Sequence, residues 1–475
     1  MKKILFVHPH VIIDAFQFSK VDAPIYPSLT IAALTGVAKK AGYSVAVSDL
    51  YGINDPINQF KQDLLRYRPD LVGITFHTPQ ADQAAELSGI CKKFDPSILV
   101  IGGGVHATAV PEETLQNSAF DFLVIGEGEI SFAQILSGDP ISNIPGIAYR
   151  EGNQIRINPP HKLIDDLDSL PMPDYSPFDL PRYRIQKLLW KNPACINIET
   201  SRGCPYSCDF CVSNLVFGRR FRAKSPERVH EELKLLANIG FKELHIQDDD
   251  FTVDLTRAMK ILDLMVTQGP RFDLELFNGV RTERLTPEFL RLGKAAGCYR
   301  MRIGIESGSR DVLQAVKKNI DLARVPSVIA AARSLGIEVI ALFILGLPGE
   351  TKENFLQTVK IAKSCGADLV RLSLFVPYPG SAIYKQWREE KRLLNVSYDK
   401  YIIHNLDTPL FNHPTMTHEQ LRQSYKYFYR AFYFRPAYII KQGVRWIKQG
   451  MFMRYARYSL DKFIFRPLIN RFMIW

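Results

Sequence analysis

The stretch Thr200–Cys211, TSRGCPYSCDFC, sets Cys204, Cys208 and Cys211 within eight residues, three residues apart and then two. A zinc site of four ligands needs a further Cys or His at a set distance. The next cysteine is Cys298, and the nearest downstream histidine, His230, falls inside the helical pattern PERVHEELKLL. Four-cysteine iron–sulfur sites need another thiolate too. Three thiolates alone satisfy three irons of a cubane and leave the fourth iron open to a chelating substrate.

The remaining sequence gives this loop its setting. The chain has 475 residues, enough for two or three domains with sizeable cores. Seven cysteines, three of them clustered, exclude a secreted disulfide scaffold and fit a reducing compartment with a metal site. The opening MKKILFVHPH reads as a first strand rather than a secretory signal, because His8 and Pro9 end its apolar run. No apolar run is long enough for a membrane span, and VIALFILGLPG reads as a buried strand.

Residues 1–135 alternate short apolar strands (KILFVH, YSVAVSD, DLVGITF, SILVIGG, DFLVIG) with helical stretches such as 29–41 and 79–93. That rhythm predicts a doubly wound parallel sheet, which binds ligands beyond the carboxyl ends of its strands. Those ends carry His8, His10, Asp49, Thr75, His77, Gly102, Gly103, Gly104 and Gly126, and the glycines let a large ligand approach the backbone. Residues 136–190 read as a hairpin turning at Gly152-Asn153, then a connector rich in Pro and Asp. Residues 191–393 resume the alternation with CINIET, ELHIQ, DLELFN, MRIGIE, VIALFIL and LVRLSLF. Two of the helices there open on a cap followed by Pro, at Ser225-Pro226 and Thr286-Pro287. Six strand–helix units predict a partial (β/α)6 barrel, with the cysteines after its first strand, on the catalytic face.

Residues 394–475 read as helical and aromatic. From Leu421 onward there are twelve Lys and Arg against one acid, Asp461, and sixteen aromatic residues, so the tail carries the whole net charge of +11. A helix over 452–463 would set Phe452, Ala456, Leu460 and Phe463 on one face. This basic, aromatic end suits an anionic membrane surface, and the alternative is a helical cap with a solvated basic face. No RNA-binding module is visible, and no nucleic acid partner is expected.

The C-x3-C-x2-C spacing after the first strand of a partial barrel resembles the radical S-adenosylmethionine (SAM) superfamily. GGGVHATAVPEETL and DFLVIGEGE in the leading sheet resemble its cobalamin-binding members: the anaerobic magnesium-protoporphyrin IX monomethyl ester oxidative cyclase group and the cobalamin-dependent radical methylases. The resemblance covers about residues 1–430. It implies a [4Fe–4S] cluster on Cys204, Cys208 and Cys211, and Phe210 beside the adenine of SAM. It also implies cofactor contacts from Asp248 and Asp249 of IQDDDFT, Glu306 of RIGIESGS, and Gly346 and Gly349 of ILGLPGET. Cobalamin would lie at the strand ends of the first sheet. The sequence departs from the best-known cobalamin proteins there: HPHVIID stands where they carry D-x-H-x-x-G, so His10 is read as a turn residue and His77 as lining the nucleotide pocket.

The implied reaction starts from a 5′-deoxyadenosyl radical and ends in methylation of an unactivated carbon of a small or lipid-like substrate. The alternatives are an oxidative cyclisation of a tetrapyrrole-like substrate and, from another class, a non-catalytic cobalamin and iron–sulfur sensor. Intact cofactor-facing stretches in the barrel count against the sensor. The implied partners are a reductase such as ferredoxin or flavodoxin, and the expected location is the cytoplasm, peripheral on the inner membrane face.

Overall fold

In the computed structural model, residues 2–10, 25–185, 187 and 189–448 are described. KILFVH forms β1 (Lys3–His8) at the heart of the first sheet, with Ile4 to Val7 all buried. Alternation splits them between two cores, Ile4 and Phe6 on one face and Leu5 and Val7 on the other. Around it lie β2 (Ser44–Asp49), β3 (Leu71–Thr75), β4 (Leu99–Gly103) and β5 (Phe122–Val124), all parallel, in the order β2-β1-β3-β4-β5. The hairpin of β6 (Ile147–Glu151) and β7 (Gln154–Ile157) is not free-standing: it extends this sheet antiparallel from β5. Helices Leu29–Lys40 and Glu129–Ser137 cover one face, and Pro56–Tyr67 and Ala81–Phe94 the other.

The second unit starts at β8 (Cys195–Ile198), followed by the short pair β9 (Ser201–Arg202) and β10 (Arg222–Ala223). Then come β11 (Glu243–Ile246), β12 (Asp273–Val280), β13 (Cys298–Glu306), β14 (Glu338–Leu345) and β15 (Leu369–Leu374). The six long strands are all parallel, in the order β15-β14-β13-β12-β11-β8, which leaves the sheet open between β8 and β15. Both expected caps are present: Ser225 accepts from the Arg228 N–H and Thr286 from the Phe289 N–H. One face of the first sheet and the core of the second merge into a single apolar cluster.

An open sheet leaves unpaired backbone groups along its edge. Here the C-terminal segment covers the edge of β15. The N–H groups of Val370 and Leu372 donate to the hydroxyls of Tyr433 and Tyr429, and each hydroxyl donates back to the carbonyl of the same residue, at 2.9–3.2 Å. The match is geometric. Residues four apart on helix His418–Tyr433 rise about 6 Å, and residues two apart on a strand advance about 6.6 Å. Beyond them the Leu374 N–H donates to the Ile403 carbonyl, and the Asp368 carbonyl accepts from Tyr438 and Gln442. Upstream, Tyr398 and Ser397 reach back to Glu113 and Asp82 of the first unit. The part of the tail from Leu421 to Tyr433 is thus structural, burying Leu421, Tyr425, Phe428 and Phe432. The stretch 452–463 lies outside the described residues.

Replacing Tyr429 or Tyr433 by Phe should cost about 1–3 kcal/mol each, because a strand N–H loses its acceptor. Chemical denaturation should show it, with iron content unchanged. A loss below about 0.5 kcal/mol for both would mean water satisfies the edge equally well.

Candidate active site

The cysteine loop is held at its base. β9 and β10 pair Arg202 with Arg222 and Ser201 with Ala223, closing the loop that carries all three cysteines. Gly203 sits in the left-handed region at φ +83°, and a Cβ there would lie 2.3 Å from the Arg220 carbonyl oxygen. Only glycine fits that turn. Asp248, buried at the end of β11, accepts from the Thr200 N–H and from the hydroxyls of Thr200 and Ser201. Its two oxygens therefore brace the loop.

Asp249 is different. Burial, then Glu199 and Asp248, push its carboxyl up to about 7, and its Oδ2 is buried with no hydrogen-bond partner among the described residues. Asp250 likewise turns Oδ1 to Thr252 and leaves Oδ2 unpaired. On the facing side, Glu306 ends β13 at φ +65°, a strained conformation for a residue with a side chain. Its carboxylate pairs with Lys318 at 3.0 Å. Burial pulls the Lys318 amine down, but Glu306 and Cys208 outweigh it and hold the amine above its ordinary value. Arg281 lies 3.9 Å over the Tyr206 ring, inside the cysteine loop. Phe210 packs partly buried against the main core. Gly346 and Gly349, at φ +86° and +76°, shape the loop after β14. Buried Glu350 ties that loop by accepting from the Gly346 N–H at 2.6 Å.

Burial pushes Cys204 up to about 11 and raises Cys208 as well. A bound cation is what would convert them to thiolates. The donor set, three sulfurs on one braced loop, fits an iron–sulfur cluster.

A cavity of about 520 Å³ lies between the two units. It reaches Thr75, His77, Gly102, Gly103, Gly104 and Gly126 on one side and Cys211 on the other. Gly104 is required by the fold itself, while Gly126 leaves room on the cavity wall. A Cβ on Gly104 would come 2.5 Å from the Phe76 carbonyl oxygen, and at Gly126, φ +78°, one would point into open space. His77 is exposed to the cavity, and the surrounding protein with His8 pulls its imidazole below the ordinary value. His8 and His10 are not among the lining residues. His8 stands 3.2 Å from Asp49 and stacks on Tyr51, while the His10 N–H donates to Gln83 and its ring meets the Leu50 carbonyl.

The seam beneath this cavity has no counterpart among the motifs of the sequence. Arg202, two residues before Cys204, places its three nitrogens on Glu127, Glu129 and Glu199 at 3.0, 2.6 and 2.7 Å. Arg222 takes both oxygens of Glu127 at 2.8 Å. Burial would raise Glu129, but Arg202 outweighs it and holds the carboxyl below its ordinary value. Glu127 and Glu129 stand in the quoted GEGE stretch and Arg202 in TSRG. Nothing local in the sequence signals that they meet across more than seventy residues.

A glycine-edged doubly wound sheet facing a three-cysteine loop across one cavity defines the cobalamin-binding radical SAM enzymes. Comparison with known proteins agrees. The chain matches the Radical SAM superfamily over residues 198–362 and the B12 binding domain over 21–136. It is 30% identical to an uncharacterized methyltransferase of Pyrococcus horikoshii over 87% of this chain and 89% of that protein. It is 27% identical to the anaerobic magnesium-protoporphyrin IX monomethyl ester cyclase of Cereibacter sphaeroides, over 97% of this chain and 75% of that one. The fold is that of the radical S-adenosylmethionine methyltransferase TsrM from Kitasatospora setae, with a TM-score of 0.68 at 20% identity over 82% of this chain and 76% of that one. The chain belongs to this family of enzymes, and [4Fe–4S], SAM and cobalamin are its cofactors.

Cys204→Ala, Cys208→Ala and Cys211→Ala should each abolish the brown absorbance and iron content of the reconstituted protein. Cys91→Ala and Cys365→Ala should keep both, because these two are buried among apolar side chains.

Proposed function

We propose that the protein methylates an unactivated carbon of a small or lipid-like substrate, with Cys204, Cys208 and Cys211 holding the cluster. The single observation carrying this reading is the shared cavity: Cys211 and the glycine strand ends line the same space, so both cofactors serve one site. When bound, the cluster and SAM supply a 5′-deoxyadenosyl radical and cobalamin supplies the methyl group. The chain's residues orient these groups. Asp249, with an unpartnered carboxylate oxygen, suits the amino group of SAM. Lys318 and Arg281 offer positive charge to its carboxylate, with Glu306 fixing Lys318. Phe210 and the loop of Gly346 and Gly349 suit the adenine. Thr75, His77, Gly102, Gly103, Gly104 and Gly126 would hold cobalamin. A ferredoxin or flavodoxin would supply the electron.

The likeness to a relative named as a methyltransferase over most of both chains puts methylation first. The match to a named cyclase along nearly the whole chain supports a second reading, radical oxidation of a tetrapyrrole-like substrate. A reductive assay should yield 5′-deoxyadenosine, and a product heavier by one CH2 marks methylation. A product lighter by two hydrogens marks oxidation, and no 5′-deoxyadenosine at all would sink both.

The same reading extends to a peripheral membrane site for the enzyme, on the cytoplasmic side. No helix among the described residues is long and apolar enough to cross a bilayer. Helix Pro436–Lys448 nevertheless turns its polar side inward, with Tyr438, Gln442 and Arg445 bound to Asp368. Its apolar residues Ile440, Val444 and Ile447 are 48–68% exposed. With the basic, aromatic residues that follow in sequence, this face suits an anionic bilayer, to which each nearby Lys or Arg adds about 1 kcal/mol. The protein should co-sediment with anionic vesicles at low salt and release as salt rises. Ile440→Glu with Val444→Glu should weaken that binding about tenfold or more. Equal sedimentation with neutral vesicles, or none with anionic ones, would refute the membrane site.

A further inference from the structure

The buried ion cluster at the seam is not required by either cofactor site alone. Glu127 and Glu129 follow β5, immediately after Gly126 on the cavity wall. Arg202 precedes the first cluster cysteine, Cys204, by two residues. Their side chains are at most 9% exposed. Glu127 is held further by Arg222 and by the Ile164 N–H at 2.8 Å, and Arg222 reaches the Ile164 and Phe217 carbonyls. The fork of Arg202 is planar and rigid, so its nitrogens meet Glu127 and Glu129 only at one relative placement of the two units. All three nitrogens of Arg202 and both oxygens of Glu127 are engaged at once, so losing one partner disturbs a set of buried bonds rather than a single one. The strand-end wall of the cavity and the base of the cysteine loop are therefore joined through Arg202, with Arg222 holding Glu127 from the paired strand.

We propose that Arg202, with Glu127 and Glu129, is a positioning clamp that couples the cobalamin site to the cluster loop, so that filling one site tightens the other. The inference rests on the cofactor assignments made above. Occupancy at the glycine strand ends fixes the backbone of Gly126 to Glu129. That backbone carries the two carboxylates which fix Arg202, and Arg202 fixes the base of the cysteine loop. By linkage the effect is reciprocal: cobalamin stabilises cluster retention by the factor with which the cluster tightens cobalamin. The clamp also sets the distance between the two cofactors, where ångström-scale misplacement costs rate heavily.

The test uses the full chain with hydroxocobalamin as the probe. Its dissociation constant is measured before and after cluster reconstitution, and iron loss to a chelator is followed with and without cobalamin. In the wild type the cluster should tighten cobalamin by about fivefold or more, the lower end of typical coupling. In Glu129→Gln and in Arg202→Lys that ratio should fall to about one, while both cofactors still bind singly. Dipolar coupling between cob(II)alamin and the reduced cluster, read by pulsed paramagnetic resonance, should broaden in the same variants. Glu275→Gln is the structural comparison, because Glu275 is fully buried but pairs with Arg300 and Arg302 within the barrel unit, away from the cavity. It should lose stability yet keep the ratio. A wild-type ratio of one, or a Glu129→Gln variant that keeps the wild-type ratio and distance, overturns the clamp. A wild-type chain that binds no cobalamin overturns the cobalamin assignment itself.

Discussion

The structure depends on charges that cannot be left unpaired away from water. A single buried guanidinium, that of Arg202, meets three carboxylates from two folding units. Such groups contribute little net stability compared with an apolar seam, yet breaking one partner away costs several kcal/mol. They buy specificity of placement. The two units also share apolar core, which could tolerate some sliding; the ion cluster cannot. Its position beside the cavity, with Glu127, Glu129, Glu199 and Arg202 all in the lining, means that the geometry most tightly fixed is that of the cavity wall.

The second constraint is the open barrel. Six strands do not close, and the exposed side of β15 would otherwise present a row of backbone donors and acceptors. Tyrosine solves this, since its ring fills apolar space while its hydroxyl both accepts and donates. Tyr429 and Tyr433, one helical turn apart, meet Leu372 and Val370, one pleat apart. The same C-terminal segment then reaches the first unit through Tyr398 and Glu113. The chain is thereby tied at the seam by ions and across the back by this segment.

Most of the architecture was legible because it is written locally. KILFVH is β1 residue for residue, and each apolar run named in the two alternating regions forms a strand. The cysteine spacing, the strand-end glycines and the caps at Ser225 and Thr286 are local signals of the same kind. What the sequence did not reveal is pairing at a distance. Asp248 and Asp249 are neighbours of identical type, yet one braces Thr200 and Ser201 while the other keeps a free oxygen, a difference set by strand-end geometry. Lys318 gave no signal because its partner Glu306 lies beyond a loop. The tail was read as one basic, aromatic region, but its first helix is held by hydrogen bonds to a strand edge that composition cannot show.

The cysteine loop owes its shape to groups other than its thiols. A thiolate at Cys204 beside Asp249 and Asp250 would be unfavourable, because like charges would crowd a partly buried space. Protonated thiols avoid that cost, and burial keeps Cys204 and Cys208 protonated. The loop is meanwhile shaped by groups that never touch metal: the β9–β10 pairing, Gly203 and the three bonds to Asp248. Binding energy from iron then goes into releasing protons rather than ordering backbone. The negative potential of the nearby acids, which disfavours the bare thiolates, favours the cationic iron that replaces their protons.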